Sequence, residues 1–310
     1  MTITAKVIAH SRVDVGTPDL ITLQLRYPRF IHAEFMTHRV FARNASSSRA
    51  IPVEKMILDV IADPAMPVRW GANQPGMQDA GDHDALVEGP LWMCRSSPSD
   101  PVAESMAGKF LFEEIRVMRS PEEAWLYARD RAIDVARGFI KAGYHKQVVN
   151  RLLEPFGHIS VVCTATEWDN FFDLRCHPDA DPTMRALADA MRDAIQASEP
   201  DHLEERDWHL PYVKDSEFWA ERRKGRDADW NRLSMISAAR CARVSYLNHD
   251  GSNPDIDKDL ALAQRLLESK HMSPFEHQAQ GWTHGVQKTH LNGNLRGWHQ
   301  FRKMIEALEA

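Results

Sequence analysis

Apolar and polar positions alternate most regularly over residues 18–28, where Leu20, Thr22 and Gln24 interleave with Ile21, Leu23 and Leu25. A period of two is that of a strand, and the Ile21/Leu23/Leu25 side predicts a single buried face. A helical stretch is expected from Phe30, ahead of a Ser-rich run at 45–48. A later helix has a legible start, with Ser120 as cap, Pro121 in the first helical position and Glu123 completing a capping box. Trp125, Ala128, Ala132, Val135 and Phe139 recur at helical spacing as its buried stripe, and Gly143 is its stop. Ile159 to Thr166 is β-branched and predicts another strand, followed by the short aromatic segment Trp168 to Arg175. Asp181-Pro182 opens a helix with Met184, Leu187, Ala188, Met191 and Ile195 inward. Two more helices, about 230–246 and 254–269, are expected to close the chain, the second on a stripe of Ile256, Leu260, Ala263 and Leu267.

Composition and punctuation refine this picture. Residues 64–101 carry six of the 17 prolines together with Gly71, Gly76, Gly81 and Gly89, which predicts an irregular insertion over about 64–110. The charged, Trp-rich stretch at about 200–229 reads as a surface connection. Helices alternating with few strands indicate α/β or α+β. A chain of 310 residues can bury a large core, and its net charge of −6 argues against DNA or an anionic membrane as main partner. Cys94, Cys163, Cys176 and Cys241 are too widely spaced for a disulfide framework or a zinc ribbon. No run of 18 apolar residues and no signal-peptide core at the N-terminus are found, so a cytoplasmic protein is expected.

Polar chemistry concentrates in four segments. His38 to Arg49 joins Ser hydroxyls, turn amides and Arg forks, the donors of a phosphate cradle; as bare residues they also fit a solvated Ser-rich loop. His145 to Pro155 and Asn170 to Asp181 follow, the second placing Arg175 after aromatic and aliphatic residues. Cys176, His177, Asp179 and Asp181 match no zinc or EF-hand spacing, and no metal is expected. His271 to His277, taken alone, is a Pro-turn corner.

Together these segments resemble the flavin-dependent thymidylate synthases. Thr37-His38-Arg39, then seven residues, Ser47 and Arg49 follow that family's Arg-His-Arg signature except at its first position. Val149 to Pro155 is similar to its Val-Ala-Arg-x-x-Leu-Pro motif, and Asn170 to Arg175 to its Asn-Phe-Leu-x-Leu-Arg. Ala242 to Tyr246 and Ser273 to His277 are similar to its Ala-Arg-Val-Ser and Pro-Phe-Glu-His motifs. The last two come first in the usual family order, so the chain reads as a circular permutation, which folds tolerate where termini lie close at the surface.

The resemblance implies one α/β domain over 1–310, a mixed sheet with flanking helices, assembled as a homotetramer. It implies FAD bound by His38, Arg39, Asn44, Asn170 and Ser245. It implies a nucleotide held by Glu34, Ser47, Ser48, Arg49, Arg151 and Arg175, with Arg175, Ser47 and His277 at the chemistry. The reaction implied is C5 methylation of a pyrimidine deoxynucleoside monophosphate, by default dUMP to dTMP, with methylene-tetrahydrofolate and NADPH as co-substrates. Methylation or hydroxymethylation of dCMP is the alternative within this chemistry. A metal-dependent nucleotide phosphohydrolase using His249-Asp250 or Cys176–Asp181, and a nucleotide-binding protein without activity, are alternatives outside it.

Thr37, Glu34, Ala45 and Ala50 stand where the family has Arg, Gln, Glu and often Tyr. Glu34 and His38, four apart on a helix, share a face. The Glu34 carboxylate either pairs with an arginine of the cradle or accepts from a cytosine amine, and the residues alone leave both open.

Overall fold

The computed structural model describes residues 2–13, 16–78, 80–95, 111–204, 206–225, 228–244, 255–281 and 289–309. Strands β1 (Thr4–Arg12) and β2 (Leu20–Pro28) form an antiparallel hairpin, and the chain then turns through the one-turn helix α1 (His32–Phe35) into β3 (Ala42–Ala45). Helix α2 (Val53–Ala62) follows, then the antiparallel pair β4 (Val87–Arg95) and β5 (Leu111–Arg119). Helix α3 (Pro121–Lys141) and the short α4 (Lys146–Val149) lead to β6 (His158–Ala165), α5 (Asp169–Arg175), α6 (Pro182–Gln196) and β7 (Asp201–His202). The remainder supplies β8 (Trp208–His209), α7 (Asp215–Arg222), α8 (Trp230–Ala242), α9 (Ile256–Glu268), β9 (Ala279–Gly281), β10 (Trp298–Gln300) and α10 (Phe301–Glu309).

The main sheet runs β3-β6-β2-β1-β7 and is mixed, because β7 lies parallel to β1 while the other pairs are antiparallel. The register Leu23↔Cys163 and Leu25↔Val161 puts the apolar positions of both central strands on one face. Phe171 of α5 and Met184, Leu187 and Met191 of α6 cover that face. Full burial of each such side chain contributes roughly 1.5–3 kcal/mol, so this layer is the main stabilising core. The opposite face is polar along Gln24, Arg26, His158 and Ser160, and that asymmetry creates the candidate site.

Five expectations need correction, the first being that the stretch at about 200–229 is no surface connection: it holds β7, β8 and α7, and Trp208, His209, Leu210 and Tyr212 are buried. β2 is not half-buried: Leu20 and Thr22 are inaccessible too, since Leu20 packs on Ala279, Leu295 and Trp298 of the C-terminal segments. The 64–110 region is not wholly irregular, because residues 87–95 pair with 111–119. The α3 stripe is rotated: Ile133 and Ala136 are buried while Val135 is 49% exposed, because the helix packs on α2 and on Val149 and Leu153. The helix at 256–268 does not close the chain, which continues into β9, β10 and α10. The expected start of α3 is present in full. Ser120 accepts from the Glu123 amide at 3.2 Å and the Glu123 carboxylate accepts from the Ser120 amide at 2.9 Å. Ser120→Ala is expected to lower stability by about 1 kcal/mol, read as a shift in the urea midpoint at unchanged m-value.

Candidate functional site

A cavity of about 450 Å³ opens on the polar face of the main sheet. Gln24, Arg26, Asn44, His158 and Ser160 line it from the strands, Ser46 from just past β3, Lys55 and Asp59 from α2, and Asp63 from the residue that ends that helix. Ala242, Arg243 and Val244 at the end of α8, with His271, Ser273 and Pro274, line it from the far end of the chain. Asn44 ties these parts together. Its amide donates to the carbonyls of Cys241 at 2.8 Å and Ala242 at 3.3 Å, and its oxygen accepts from the Ser273 hydroxyl at 3.2 Å.

The Ser-rich segment is held to the sheet by reciprocal bonds. The Ser46 amide donates to the Ser160 carbonyl at 2.8 Å, and the Ser160 amide to the Ser46 hydroxyl at 3.1 Å. Ser47 lines the cavity and is exposed, whereas Ser48 is buried and donates to Glu154 at 2.5 Å. Asn150, fully buried, donates to the Ser48 and Ile51 carbonyls at 2.7 and 2.9 Å and so fixes the turn. Val244 adopts φ +57°. For a β-branched residue this backbone is strained by about 1–3 kcal/mol, a feature common at ligand sites.

The residues expected from sequence fall in several places. Asn44 and Ser47 are in the cavity wall. Glu34, His38 and Arg175 form a separate cluster, in which the Arg175 Nε donates to the His38 Nε2 at 3.0 Å and Glu34 lies 3.5 Å from the guanidinium. Glu34 thus faces an arginine, as in the ion-pair member of its two alternatives. Burial, reinforced by Arg175 and Arg43, lowers the His38 pKa, which keeps the ring neutral and its Nε2 free to accept. Burial raises the Glu34 pKa, Asp181 adds to the rise, and Arg175 opposes it. Arg39 and Asn170 are exposed near this cluster, whose aromatic base is Phe171 stacked edge-on against His38. Arg49 is exposed, and Arg151 is exposed and paired with Glu154 at 3.2 Å. Ser245 lies outside the described residues, as do His249 and Asp250.

His277 is not a cavity residue. It is fully buried, and its Nδ1 bonds the Thr164 hydroxyl at 2.8 Å. That contact continues from Thr164 to Thr22 at 2.7 Å and from Thr22 to the buried His209 at 2.8 Å. Burial pushes the pKa of both histidines down to about 3. In the Cys176–Asp181 segment, Asp181 caps α6 and His177 faces Asp179 at 3.6 Å on the surface. Among the described residues no group of three or more His, Cys, Asp or Glu gathers to hold a metal. No helix among them is long and apolar enough to cross a membrane.

Sequence reasoning missed Gln24, Arg26, Lys55, Asp59, Asp63, His158 and Ser160 as cavity residues. Gln24 and Arg26 had a signal, being the polar positions of the β2 alternation. Lys55, Asp59 and Asp63 recur every four residues, the spacing of one helix face.

A mixed α/β fold with a polar cavity on its sheet fits several enzyme classes, and comparison with known proteins narrows them. The family model described as thymidylate synthase complementing protein matches residues 19–201. The chain is therefore a thymidylate synthase-like methyltransferase. It belongs, specifically, to the thymidylate synthase complementing protein family. The matched span contains the 37–49, 149–155 and 170–175 motifs; those at 242–246 and 273–277 lie beyond it. Among solved structures, the chain is similar to the UMP/dUMP methylase PolB from Streptomyces cacaoi bound with 5-Br dUMP. That alignment has 13% identity and a TM-score of 0.42, covering 63% of this chain and 90% of PolB. The same methylase bound with 5-Br UMP aligns at 14% identity and a TM-score of 0.40, over 74% of this chain and 97% of its own. No curated protein sequence matches the chain.

Proposed function

We propose that the chain transfers a one-carbon unit from methylene-tetrahydrofolate to C5 of a pyrimidine deoxynucleoside monophosphate, dUMP giving dTMP, with FAD as cofactor and NADPH as reductant. The observation that carries this reading is convergence: Asn44, Ser47, Arg243 and Ser273, from motif segments far apart in sequence, line one cavity. The same convergence supports one permuted domain, its C-terminal segments completing a cavity begun by the family-matched part. A homotetramer belongs to the same reading.

The residues fit both ligands chemically. Ser47 supplies a hydroxyl at the cavity wall, with Arg49, Arg151 and Arg175 as the further phosphate-binding groups of the reading. Arg39 and Asn170 are exposed with a cation and an amide available to a pyrophosphate, and His38, Asn44 and Ser245 complete the flavin set. Bound FAD supplies the hydride chemistry, so the chain needs no nucleophile of its own. Its residues bind, orient and polarise. His38 holds Arg175 by the Nε, while its Nη1 faces Glu34 and its Nη2 the Thr37 hydroxyl, each at 3.5 Å, contacts long enough to yield to an incoming anion.

Because Glu34 already faces Arg175, dUMP is favoured over dCMP as substrate. The test is mass spectrometry of products from dUMP and dCMP with methylene-tetrahydrofolate, FAD and NADPH. The expected result is dUMP gaining one CH2. Turnover of dCMP alone would overturn the base assignment, a gain of CH2O would replace the methyl product with hydroxymethyl, and no product from either would sink the reading.

A further inference from the structure

His158 is the most unusual group in the cavity wall. Its side chain is only 4% exposed, yet neither ring nitrogen makes a hydrogen bond. The Asp63 carboxylate lies 4.0 Å from Nδ1 and the Asp63 backbone also acts on the ring, so Nδ1 is turned to Asp63 and Nε2 is the nitrogen left for a ligand. Leaving a buried polar group unpaired is unfavourable by about 1–3 kcal/mol, so such a group in a cavity wall points to a ligand that pairs it. Burial, then the neighbouring Arg26, holds its pKa down to about 4 against the opposing pull of Asp63. At neutral pH it therefore carries one N–H donor and one lone pair, and no charge.

The rest of the cavity is polarised along α2. Lys55 lies in the first turn, beside Ser47, Ala50 and Ile51, and the helix N-cap, Pro52, offers no side-chain cap to the first amides. Asp59 and Asp63 lie further along, Asp63 about 12 Å from Lys55 at 1.5 Å per residue. An anion is favoured at the first end by the helix dipole and disfavoured at the second by the carboxylates. At the second end Arg26 is already bound to Asp63 at 2.7 Å.

We propose that His158 forms the subsite for the uncharged ring of the bound ligand, making one hydrogen bond to the N–H or carbonyl edge of a pyrimidine-type ring, while the ligand's phosphate lies at the Ser47–Lys55 end. The inference rests on the nucleotide reading above. The pyrimidine base of a mononucleotide carries that edge, and so does the pyrimidine ring of a flavin; the test distinguishes them.

Binding of dUMP, FAD and 2-deoxyribose 5-phosphate is measured by calorimetry or displacement on wild type, His158→Phe and His158→Gln. His158→Phe is expected to weaken dUMP about tenfold, the loss of one hydrogen bond, and to leave 2-deoxyribose 5-phosphate within about twofold. His158→Gln, which keeps a donor and an acceptor, is expected to restore most of the dUMP affinity. Tenfold loss for FAD with dUMP unchanged supports the subsite and assigns it to the flavin ring. Equal weakening of dUMP and the baseless phosphate, or no weakening of dUMP and FAD, overturns the proposal. Should the phenylalanine variant fail to fold, His158→Ala gives the same comparison without crowding the wall. Failure of wild-type protein to bind either dUMP or FAD removes the nucleotide reading and the inference together, whereas normal binding indifferent to His158 removes the inference alone.

Discussion

Asp259→Ala is expected to destabilise the fold by about 3–5 kcal/mol, the largest single-site loss anticipated. Asp259 and Arg240 are each 1% exposed and bonded at 2.9 Å across the α8–α9 contact. Arg240 also donates to Glu217 at 2.7 and 2.9 Å and to the Tyr212 carbonyl at 2.8 Å, and Arg243 Nη2 donates to the second Asp259 oxygen. Removing the aspartate takes the acceptor from the buried Arg240 Nε and from Arg243, while Glu217 and the Tyr212 carbonyl keep the Arg240 Nη groups, so desolvation that the aspartate had offset becomes partly unopposed. The double variant Arg240→Met, Asp259→Leu is expected to recover part of the loss, because packed apolar groups replace a buried pair at little net penalty. Chemical denaturation of the three proteins checks this; a loss under about 1 kcal/mol in the single variant would show the network to be solvent-compensated. Since Arg243 and Val244 line the cavity, the single variant is also expected to bind nucleotide less tightly.

The second large effect is acid lability. His209 and His277 are neutral in the fold, with pKa values of about 3 caused by burial, against about 6.5 in an unfolded chain. A histidine depressed in this way contributes stability that is complete above pH 6.5 and is lost as pH falls towards 3. Below about pH 6 these two rings alone give the unfolded chain nearly two more protons than the native one, a loss approaching about 2.7 kcal/mol per pH unit, to which His158, held down to about 4, adds. Urea titrations between about pH 7 and 5.5, above the carboxylate range, measure this slope. His277→Gln, which keeps a partner for Thr164, is expected to lower it by about 1.4 kcal/mol per pH unit, the share of one ring. A flat profile in wild type would mean that both rings take up protons in the native state.

The same two histidines show where reading the sequence stops. His277 sits in a motif whose resemblance placed it at the chemistry, while the Thr164–Thr22–His209 chain that holds it joins four distant segments. Nothing local marks those partners. The local signals, by contrast, were reliable where the chemistry was local. The Ser120 cap forms from residues three apart, Asp181 caps α6 through the next amides, and the β2 alternation is a property of the strand itself.

By itself, then, the sequence determined the fold class, the strands at 20–28 and 158–165, the caps of its clearest helices, and the family, since short motifs survive even when their order along the chain is changed. What only the tertiary structure decided was which polar residues share a cavity. Gln24 and Arg26 meet His158 and Ser160 through strand register, Asn44 meets Cys241 and Ser273 through packing of distant segments, and Glu34 meets Arg175 across two helices. Each of those meetings depends on how elements dock. Docking is set by the summed burial of whole faces such as the Leu23–Val161–Met184 layer, not by the residues that the docking brings together.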